Sequence, residues 1–360
     1  MIYPKLFIPG PTPVTEDTMA AMSQPQIGHR TPEFSELWSE VTSGLEKVLG
    51  ASKVFLFSNP ATGIWEAAVR NTVKKCCLNL VNGAFSAKWH SATQACDLPC
   101  DILEKPWGKA IHPEEVDQAL ASGKYDVVTL VHNETSTGVM NSLEEIANLM
   151  TDKYPDVFFH VDAVSSMMGV EIRVDEWGLD TCFASVQKAW GLPAGFTVCA
   201  LSERTLERSA EMKGKGYYFD FVVYDKYYKK QQTVYTPSIP HMYGLQKILR
   251  DVEREGLQHR YRRHQKMAET TRAWAFRHGQ ELYPEKGYES ATLTAIRNVQ
   301  GWDVNRLYDN LEDLGYRMDR GYGKLRGEVF RIAHMGAVMP EDLDAFLKTF
   351  DHVLTDEGEA

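Results

Sequence analysis

The stretch DTCFASVQKAWGLPAG (180–195) places Lys188 directly after a short apolar strand and before a loop punctuated by proline and glycine. A lysine in such an apolar segment is unusual, because lysine is rarely buried without a specific purpose. Burial lowers the pKa of a lysine and makes its amine nucleophilic, which is what a Schiff base requires. Taken alone, these residues leave a structural lysine and a catalytic lysine as equal alternatives.

Similar short apolar strands recur along the chain, and helical segments separate them. One such segment, FSELWSEVTSGLEKVLG (34–50), ends at Gly50 in the manner of a helix terminus. The seven predicted strands are VFLFS (54–58), CLNLV (77–81), DILEK (101–105), DVVTLV (126–131), VFFHV (157–161), DTCFAS (180–185) and TVCALS (197–202). Strands without an alternating polar face, separated by helices, predict an α/β fold in which helices cover both sides of a parallel sheet.

The sequence changes character after residue 203. Residues 241–278 are predicted to form a long charged helix, in which the basic run HRYRRHQK (259–266) is interpreted as a solvated face. Two strands and two helices then predict a smaller α+β unit. The expected organisation is a large domain over 1–240 with an N-terminal arm over 1–33, a connecting helix over 241–278 and a small C-terminal domain over 279–360.

Composition excludes several classes of function. The 360 residues include 39 Lys and Arg against 49 Asp and Glu, a formal net charge of −10, which argues against nucleic acid or an anionic membrane as partner. No apolar run approaches the roughly 20 residues of a membrane helix, and the N-terminus does not resemble a signal peptide. The 6 cysteines lack a metal-binding pattern, so we expect free thiols, no metal site and a cytoplasmic enzyme.

Asp162 stands where the strand VFFHV ends, one strand–helix–strand unit before Lys188. Ligands of open α/β sheets bind at such carboxyl ends of strands. The carboxylate could cap a helix, coordinate Mg²⁺ or bind a pyridinium N–H. The pairing with a lysine that can form a Schiff base favours the last, because pyridoxal phosphate needs both partners.

Three further strand ends offer groups of the same kind. SNPATGIWEAA (58–68) opens a helix whose backbone N–H groups suit a phosphate. Phe85, in NGAFSAKWH (82–90), could stack on a cofactor ring or simply pack in the core. HNETSTG (132–138) adds hydroxyl and amide groups. Together these strand ends favour one cofactor site over separate structural roles.

The chain resembles the class V (fold type I) pyridoxal-phosphate aminotransferases in four segments: IPGPTPV (8–14), HNETSTGV (132–139), SVQKAW (185–190) and FRIAHMG (330–336). The resemblance covers nearly the whole chain. It is closest to the alanine–glyoxylate and serine–glyoxylate (or serine–pyruvate) branch and its phosphoserine-aminotransferase-like relatives. It implies a large domain with a mainly parallel seven-stranded sheet between helices, a smaller C-terminal α+β domain, and a homodimer with shared active sites.

The resemblance implies that Lys188 forms the Schiff base and that Asp162 binds the pyridine nitrogen. Arg331 matches the arginine that holds the substrate α-carboxylate. His29 and Arg30 resemble a pair that faces the distal group of the substrate, with a helix-entry or dimer contact as the alternative. The other implied cofactor contacts are Ala61, Thr62 and Gln187 at the phosphate, Phe85 and Val164 against the ring, Thr135 near the phenolic oxygen, and Thr236 reaching the phosphate from a second subunit.

The activity that the resemblance implies is transamination from a small amino acid, serine or alanine, to a 2-oxo acid such as glyoxylate or pyruvate. The alternative is a phosphoserine aminotransferase working with 2-oxoglutarate in serine biosynthesis, although its second arginine near the phosphate loop is not evident. A lyase of the cysteine desulfurase type fits less well, because no cysteine follows Cys199 and Gln187 stands where desulfurases carry histidine. Nothing in the chain favours a protein that binds the cofactor without turnover.

Overall fold

The centre of the structure is a seven-stranded sheet, seen in a computed structural model that describes residues 3–358. The strands of these residues are β1 (Lys5–Leu6), β2 (Val54–Phe57), β3 (Cys77–Val81), β4 (Cys100–Glu104), β5 (Val127–Val131), β6 (Asn133–Glu134), β7 (Val139–Met140), β8 (Phe158–Asp162), β9 (Thr181–Ser185), β10 (Thr197–Leu201), β11 (Glu281–Leu282), β12 (Leu293–Arg297), β13 (Tyr316–Arg317) and β14 (Val329–Ala333). The central sheet has the order β2-β10-β9-β8-β5-β3-β4, and only the pairs made by β10 are antiparallel. The predicted mainly parallel sheet is confirmed.

Helices cover both faces of this sheet. The helices of the described chain are α1 (Glu16–Met22), α2 (Pro32–Leu49), α3 (Thr62–Thr72), α4 (Ala84–Ala95), α5 (Pro113–Leu120), α6 (Leu143–Lys153), α7 (Glu203–Glu211), α8 (Phe221–Tyr228), α9 (Ile239–Glu255), α10 (Leu257–Arg277), α11 (Val304–Asp313) and α12 (Pro340–Glu357), with a 3₁₀ turn at Gly323–Leu325. Successive strand residues face opposite sides. Thus Leu56 and Val198 pack with α2, α6 and α9, whereas Phe57 and Cys199 pack with α3, α4 and α8.

The C-terminal part of the chain has its own sheet and its own core. Strands β11, β12 and β14 form an antiparallel sheet, and Phe330 on β14 packs with Phe346 and Phe350 on α12. Strand β1 pairs in parallel with β13, and the Phe7 ring stacks on Phe346 with centroids 4.2 Å apart. Residues 5–7 therefore lie with the C-terminal core, because burying Phe7 there removes a large apolar surface from water. The expected division at residues 240 and 279 stays a prediction.

The region predicted as one long helix over 241–278 consists of two helices. Helix α9 ends at Gly256, whose φ of +81° lies in the left-handed region that interrupts a helix, and α10 begins at the next residue. The interpretation of residues 259–266 as a solvated face is wrong for Arg260 and His264, which are buried. Arg260 turns inward because backbone carbonyl groups and Glu255 are available to it there.

Arg260 links α10 to the loop that follows Lys188, and this predicts a cost in stability when the link is removed. Its Nε donates to Met168 O at 3.1 Å and its Nη2 to Ala189 O at 2.7 Å. We expect Arg260→Met to lower the free energy of unfolding by about 3 kcal/mol, because two buried carbonyl groups lose their donors. Urea unfolding followed by circular dichroism measures the change.

The matched control is Arg262→Met, an exposed position on the same helix. It should change the free energy of unfolding by less than about 0.5 kcal/mol. Equal, small effects of the two substitutions would contradict the structural role assigned to Arg260.

Candidate active site

A cavity of about 290 Å³ lies where the parallel strands β5, β8 and β9 end. Most of the residues predicted to form a site line this cavity together. They are Ala61, Thr62, Phe85, Thr135, Asp162, Val164, Gln187 and Lys188. The strand-end rule brings them together, since each stands at or after the carboxyl end of one of the mutually parallel strands β2, β3, β5, β8 and β9 of the central sheet. Other residues that line the cavity were not predicted from the sequence, among them Trp65, Lys88 and Asn133.

Lys188 lies just after β9, and the N-terminal segment of the chain covers it. Its Nζ donates a hydrogen bond to Pro9 O, and Thr12 Oγ1 donates to Lys188 O at 2.8 Å. A β-carbon at Gly10, whose φ is +123°, would lie only 2.9 Å from Lys188 Nζ, so glycine lets the backbone approach. Burial, assisted by the positive charge of Arg331, lowers the pKa of Lys188 to about 8. About a tenth of this amine is therefore uncharged at pH 7, far more than for an ordinary lysine.

Asp162 ends β8 and is buried in the floor of the same cavity. Trp65 Nε1 donates to its Oδ2 at 2.7 Å and Val164 N to its Oδ1 at 2.9 Å. Burial, assisted by the negative charge of Glu134, raises the pKa of Asp162 to about 6 despite these two donors. The site thus contains a carboxylate that a cationic partner would stabilise.

The start of α3 forms another wall of the cavity. Ala61 N donates to Ser185 Oγ at 2.6 Å, and no side chain caps the helix start. The Oε1 atom of Gln187 is buried and has no hydrogen-bond partner among the described residues. Uncapped N–H groups, the Thr62 hydroxyl and an amide are neutral donors of the kind that bind a phosphate at a helix N-terminus.

Phe85 stands in the first turn of α4, and the buried carboxylate of Glu134 fixes that turn. Glu134 Oε2 accepts hydrogen bonds from Phe85 N at 3.1 Å and from Ser86 N at 2.9 Å. Ser136 Oγ donates to Glu134 Oε1 at 2.6 Å. The sequence pattern of HNETSTG (132–138) does not single out this glutamate. Its contacts show that Glu134 holds in place the helix start that carries the Phe85 ring.

Arg331 lies in the middle of β14, and its side chain is only 4% exposed. Nη1 donates to Thr135 O at 2.7 Å, so the guanidinium reaches the cavity wall from the C-terminal part of the chain. Nε pairs with Asp319 Oδ1 at 2.7 Å, and Cζ is 5.6 Å from the centre of the Tyr322 ring. A buried arginine at a cavity is suited to binding a carboxylate through its planar fork.

Four of the predicted site residues do not line the cavity of their own chain: His29, Arg30, Thr236 and Arg331. Of these, Arg331 reaches the cavity wall through its hydrogen bond to Thr135 O. Arg30 donates to Thr233 O at 2.7 Å and to Val234 O at 2.9 Å, and its guanidinium lies 5.2 Å from the Tyr227 ring centre. Thr236 is exposed, and His29 is half-buried. Within one chain, Arg30 therefore holds the segment 233–236 rather than facing the cavity.

The family model described as Aminotransferase class-V matches residues 16–308, most of the chain. The chain belongs to the class V aminotransferases. It is 34% identical to an uncharacterized aminotransferase of Methanocaldococcus jannaschii, over 98% of this chain and 93% of that protein. It is 32% identical to the L-aspartate–glyoxylate aminotransferase of Paracoccus denitrificans and 32% identical to the serine–glyoxylate aminotransferase of Methylorubrum extorquens, each over 98% of this chain and 91% of the relative.

Solved structures share the whole fold of this aminotransferase. The alanine–glyoxylate aminotransferase of Nostoc sp. superposes with a TM-score of 0.92 at 28% identity, over 98% of this chain and 96% of that one. The phosphoserine aminotransferase of Cytophaga hutchinsonii superposes with a TM-score of 0.88 at 25% identity, over 98% of this chain and 99% of that one. The predicted family and the fold type I architecture are both confirmed.

The described residues of this aminotransferase contain no group of His, Cys, Asp and Glu side chains that could hold a metal ion. No helix within residues 3–358 is long and apolar enough to cross a membrane. The six cysteines are free, and none of them lines the cavity.

The raised pKa of Asp162 predicts how the stability of the ligand-free aminotransferase depends on pH. The rise from 3.8 to about 6 means that burying the ionised carboxyl costs about 3 kcal/mol. Well below pH 3.8 the group is neutral in both folded and unfolded chains, and the cost appears as pH rises through 3.8 to above 6. We therefore expect Asp162→Asn to gain stability relative to the wild type over that range, measured by urea unfolding at each pH.

Asp152→Asn, on an exposed turn of α6, is the matched control and should follow the wild-type pH dependence. A stability difference between Asp162→Asn and the wild type that stays constant from pH 4.5 to 8 would show that the carboxyl of Asp162 is not perturbed.

Proposed function

We propose that this aminotransferase binds pyridoxal phosphate in the cavity and moves an amino group from serine or alanine to glyoxylate or pyruvate. The observation that carries the proposal is that Lys188 and Asp162, at the ends of adjacent strands, line one cavity. The aldehyde and the pyridine nitrogen of the cofactor require such an amine and such a carboxylate. The serine–glyoxylate and alanine–glyoxylate aminotransferases among the similar proteins support this choice of substrates.

The cavity residues fit both ends of pyridoxal phosphate. The phosphate suits the uncapped start of α3, Thr62 and the Gln187 amide, which has no partner in the described chain for its Oε1 and can turn its Nε2 toward an anion. At the other end, a protonated pyridine nitrogen would stabilise the buried Asp162 carboxylate. Phe85 and Val164 lie on the cavity wall, where a ring can pack between them.

Bound pyridoxal phosphate supplies an electron sink for the charge that develops at the substrate α-carbon. Lys188 Nζ would hold the cofactor through its aldehyde carbon and, once displaced by the substrate, take the proton from the α-carbon. Its pKa of about 8 suits that task near neutral pH. Arg331 would hold the α-carboxylate through the N–H groups that Thr135 and Asp319 do not occupy.

Phosphoserine is the second candidate donor, and the similarity to the phosphoserine aminotransferase of Cytophaga hutchinsonii supports it. The phosphate of this donor would need a cationic partner at the far end of the cavity. His29 and Arg30 do not line the cavity in their own chain. They could supply that charge only across a subunit interface.

The placement of Arg30 supports a homodimer with shared active sites. Arg30 and Thr236 belong to one unit, because Arg30 binds the carbonyl groups of residues 233 and 234. This unit carries an exposed hydroxyl and a histidine, and His29, Arg30 and Thr236 do not line the candidate active-site cavity of their own chain. We assign it to the partner's active site. The free cysteines support the cytoplasm as the compartment of this dimer.

The proposed cofactor and reaction predict a spectroscopic result. Purified protein incubated with pyridoxal phosphate should show a visible absorbance band that alanine or serine bleaches and glyoxylate or pyruvate restores. Lys188→Ala should abolish the band, because the amine that holds the aldehyde carbon is gone.

Lys348→Met, an exposed lysine on α12, controls for nonspecific modification of lysines and should keep the band. A wild-type protein without the band, or a Lys188→Ala variant that retains it, would refute the assignment of Lys188.

Shared active sites predict complementation between two variants. Lys188→Ala lacks the reacting amine, and Arg30→Ala loses the hydrogen bonds that hold the segment carrying Thr236, which we propose reaches the cofactor phosphate of the partner; both should be inactive alone. A hybrid dimer of Lys188→Ala and Arg30→Ala chains has one site with both an intact lysine and an intact arginine, provided that Arg30 acts across the interface. Random mixing should therefore restore about a quarter of the wild-type turnover. The measurement is the alanine–glyoxylate rate after the two chains are unfolded and refolded together.

Each variant refolded alone is the control and should stay inactive. A mixture that remains as inactive as its components, although sedimentation shows dimers, would place Arg30 outside the partner's site.

A further inference from the structure

Lys88 is a charged residue at the cavity for which the proposed reaction has no role so far. It lies one turn beyond Phe85 on α4, and its side chain lines the cavity. Among the described residues it forms no ion pair, although the chain carries a net charge of −10. An ammonium group without a carboxylate partner at a cavity wall attracts anionic ligands.

Tyr322 connects Lys88 to the arginine that would bind the substrate. Lys88 Nζ donates to the Tyr322 hydroxyl at 2.6 Å and lies 5.1 Å from the centre of its ring. Arg331 Cζ lies 5.6 Å from the centre of the same ring. Lys88 Nζ and Arg331 Cζ therefore lie beside the same aromatic ring. The Tyr322 ring also packs against Phe85, with centroids 5.2 Å apart.

We propose that Lys88 determines specificity by binding the second anionic group, a carboxylate or a phosphate, of an amino donor whose α-carboxylate is bound by Arg331. This inference rests on the proposed cofactor and transamination, and it adds dianionic amino donors to serine and alanine. A charge-assisted hydrogen bond spans about 2.8 Å at each end. Two cations beside one tyrosine ring suit a short donor, in which three carbon–carbon or carbon–oxygen bonds join the two anionic groups. Aspartate and phosphoserine have that length, whereas alanine and serine have no second anionic group.

The other candidate cations of this chain are already occupied or absent from the cavity. Arg30 uses Nη1 and Nη2 for backbone carbonyl groups outside it. Arg70 donates to Cys96 Sγ and to Gly214 O. Two lysines line the cavity among the described residues, Lys88 and Lys188. In the proposed function Lys188 holds the cofactor and moves the α-proton, so it does not bind a distal anionic group. Lys88 is thus the cation of this chain placed for a distal anionic group.

The test compares donors on the cofactor-loaded enzyme. With glyoxylate held constant, kcat/KM is measured for aspartate, O-phosphoserine, alanine and serine in the wild type, Lys88→Met, Lys88→Arg and the surface control Lys348→Met. We expect Lys88→Met to lower the ratio of dianionic to neutral donors at least about tenfold. Lys88→Arg should retain most of the ratio, and Lys348→Met should retain all of it. The dianionic donor with the larger loss identifies a carboxylate or a phosphate as the group that Lys88 binds.

Two results would overturn the proposal while leaving the aminotransferase function intact. One is a wild type that reacts with alanine or serine but with neither dianionic donor. The other is a Lys88→Met variant in which all four donors lose the same factor, as a purely structural role for Lys88 would give. If no donor reacts with the wild type, the proposed function itself is wrong and the role of Lys88 falls with it.

Discussion

The burial of opposite charges at the ends of two adjacent strands is the constraint on which the rest of this structure depends. Burial lowers the pKa of Lys188 to about 8 and raises that of Asp162 to about 6. Each ionised form is costly inside a protein, so the surrounding fold has to supply compensating groups or a ligand. The Trp65 indole and the Val164 amide partly compensate Asp162. A cofactor with a cationic ring nitrogen would further stabilise the ionised Asp162 carboxylate.

Parts of the chain that are far apart in sequence make this burial possible. The N-terminal segment covers Lys188 through Pro9 and Gly10, and the same segment is anchored by β1 and Phe7 on the C-terminal core. Arg260 holds the loop after Lys188 from the other side. The active site therefore lies between the central sheet and the C-terminal sheet, and its environment depends on the packing of both.

The sequence predicted those features that depend on local pattern. The seven strands and the groups at their ends follow from apolar runs and turn residues. The pattern therefore predicts that Asp162, Thr62, Phe85 and Lys188 share one site, and all four line the cavity. It did not predict Glu134, Lys88 or Tyr322, because their roles arise from contacts between segments remote in the chain. The prediction of a solvated face over 259–266 is wrong for Arg260 for the same reason, because the acceptors of Arg260 lie on segments remote in the chain. The lining of the cavity of one chain likewise lacks His29, Arg30, Thr236 and Arg331, of which Arg331 contacts its wall through Thr135.

In the proposed reaction, the pair formed by Arg331 and Asp319 would connect substrate binding to the chemistry of Lys188. The positive charge of Arg331 lowers the pKa of Lys188, and the negative charge of Asp319 opposes that effect. A substrate carboxylate on Arg331 adds a second negative charge on the same side. It therefore raises the proton affinity of the lysine amine when a substrate is present to give up its α-proton. Asp319 already offsets part of the positive charge of Arg331. A substrate carboxylate bound to Arg331 would therefore leave a net negative charge beside Lys188, which raises the pKa of the lysine amine.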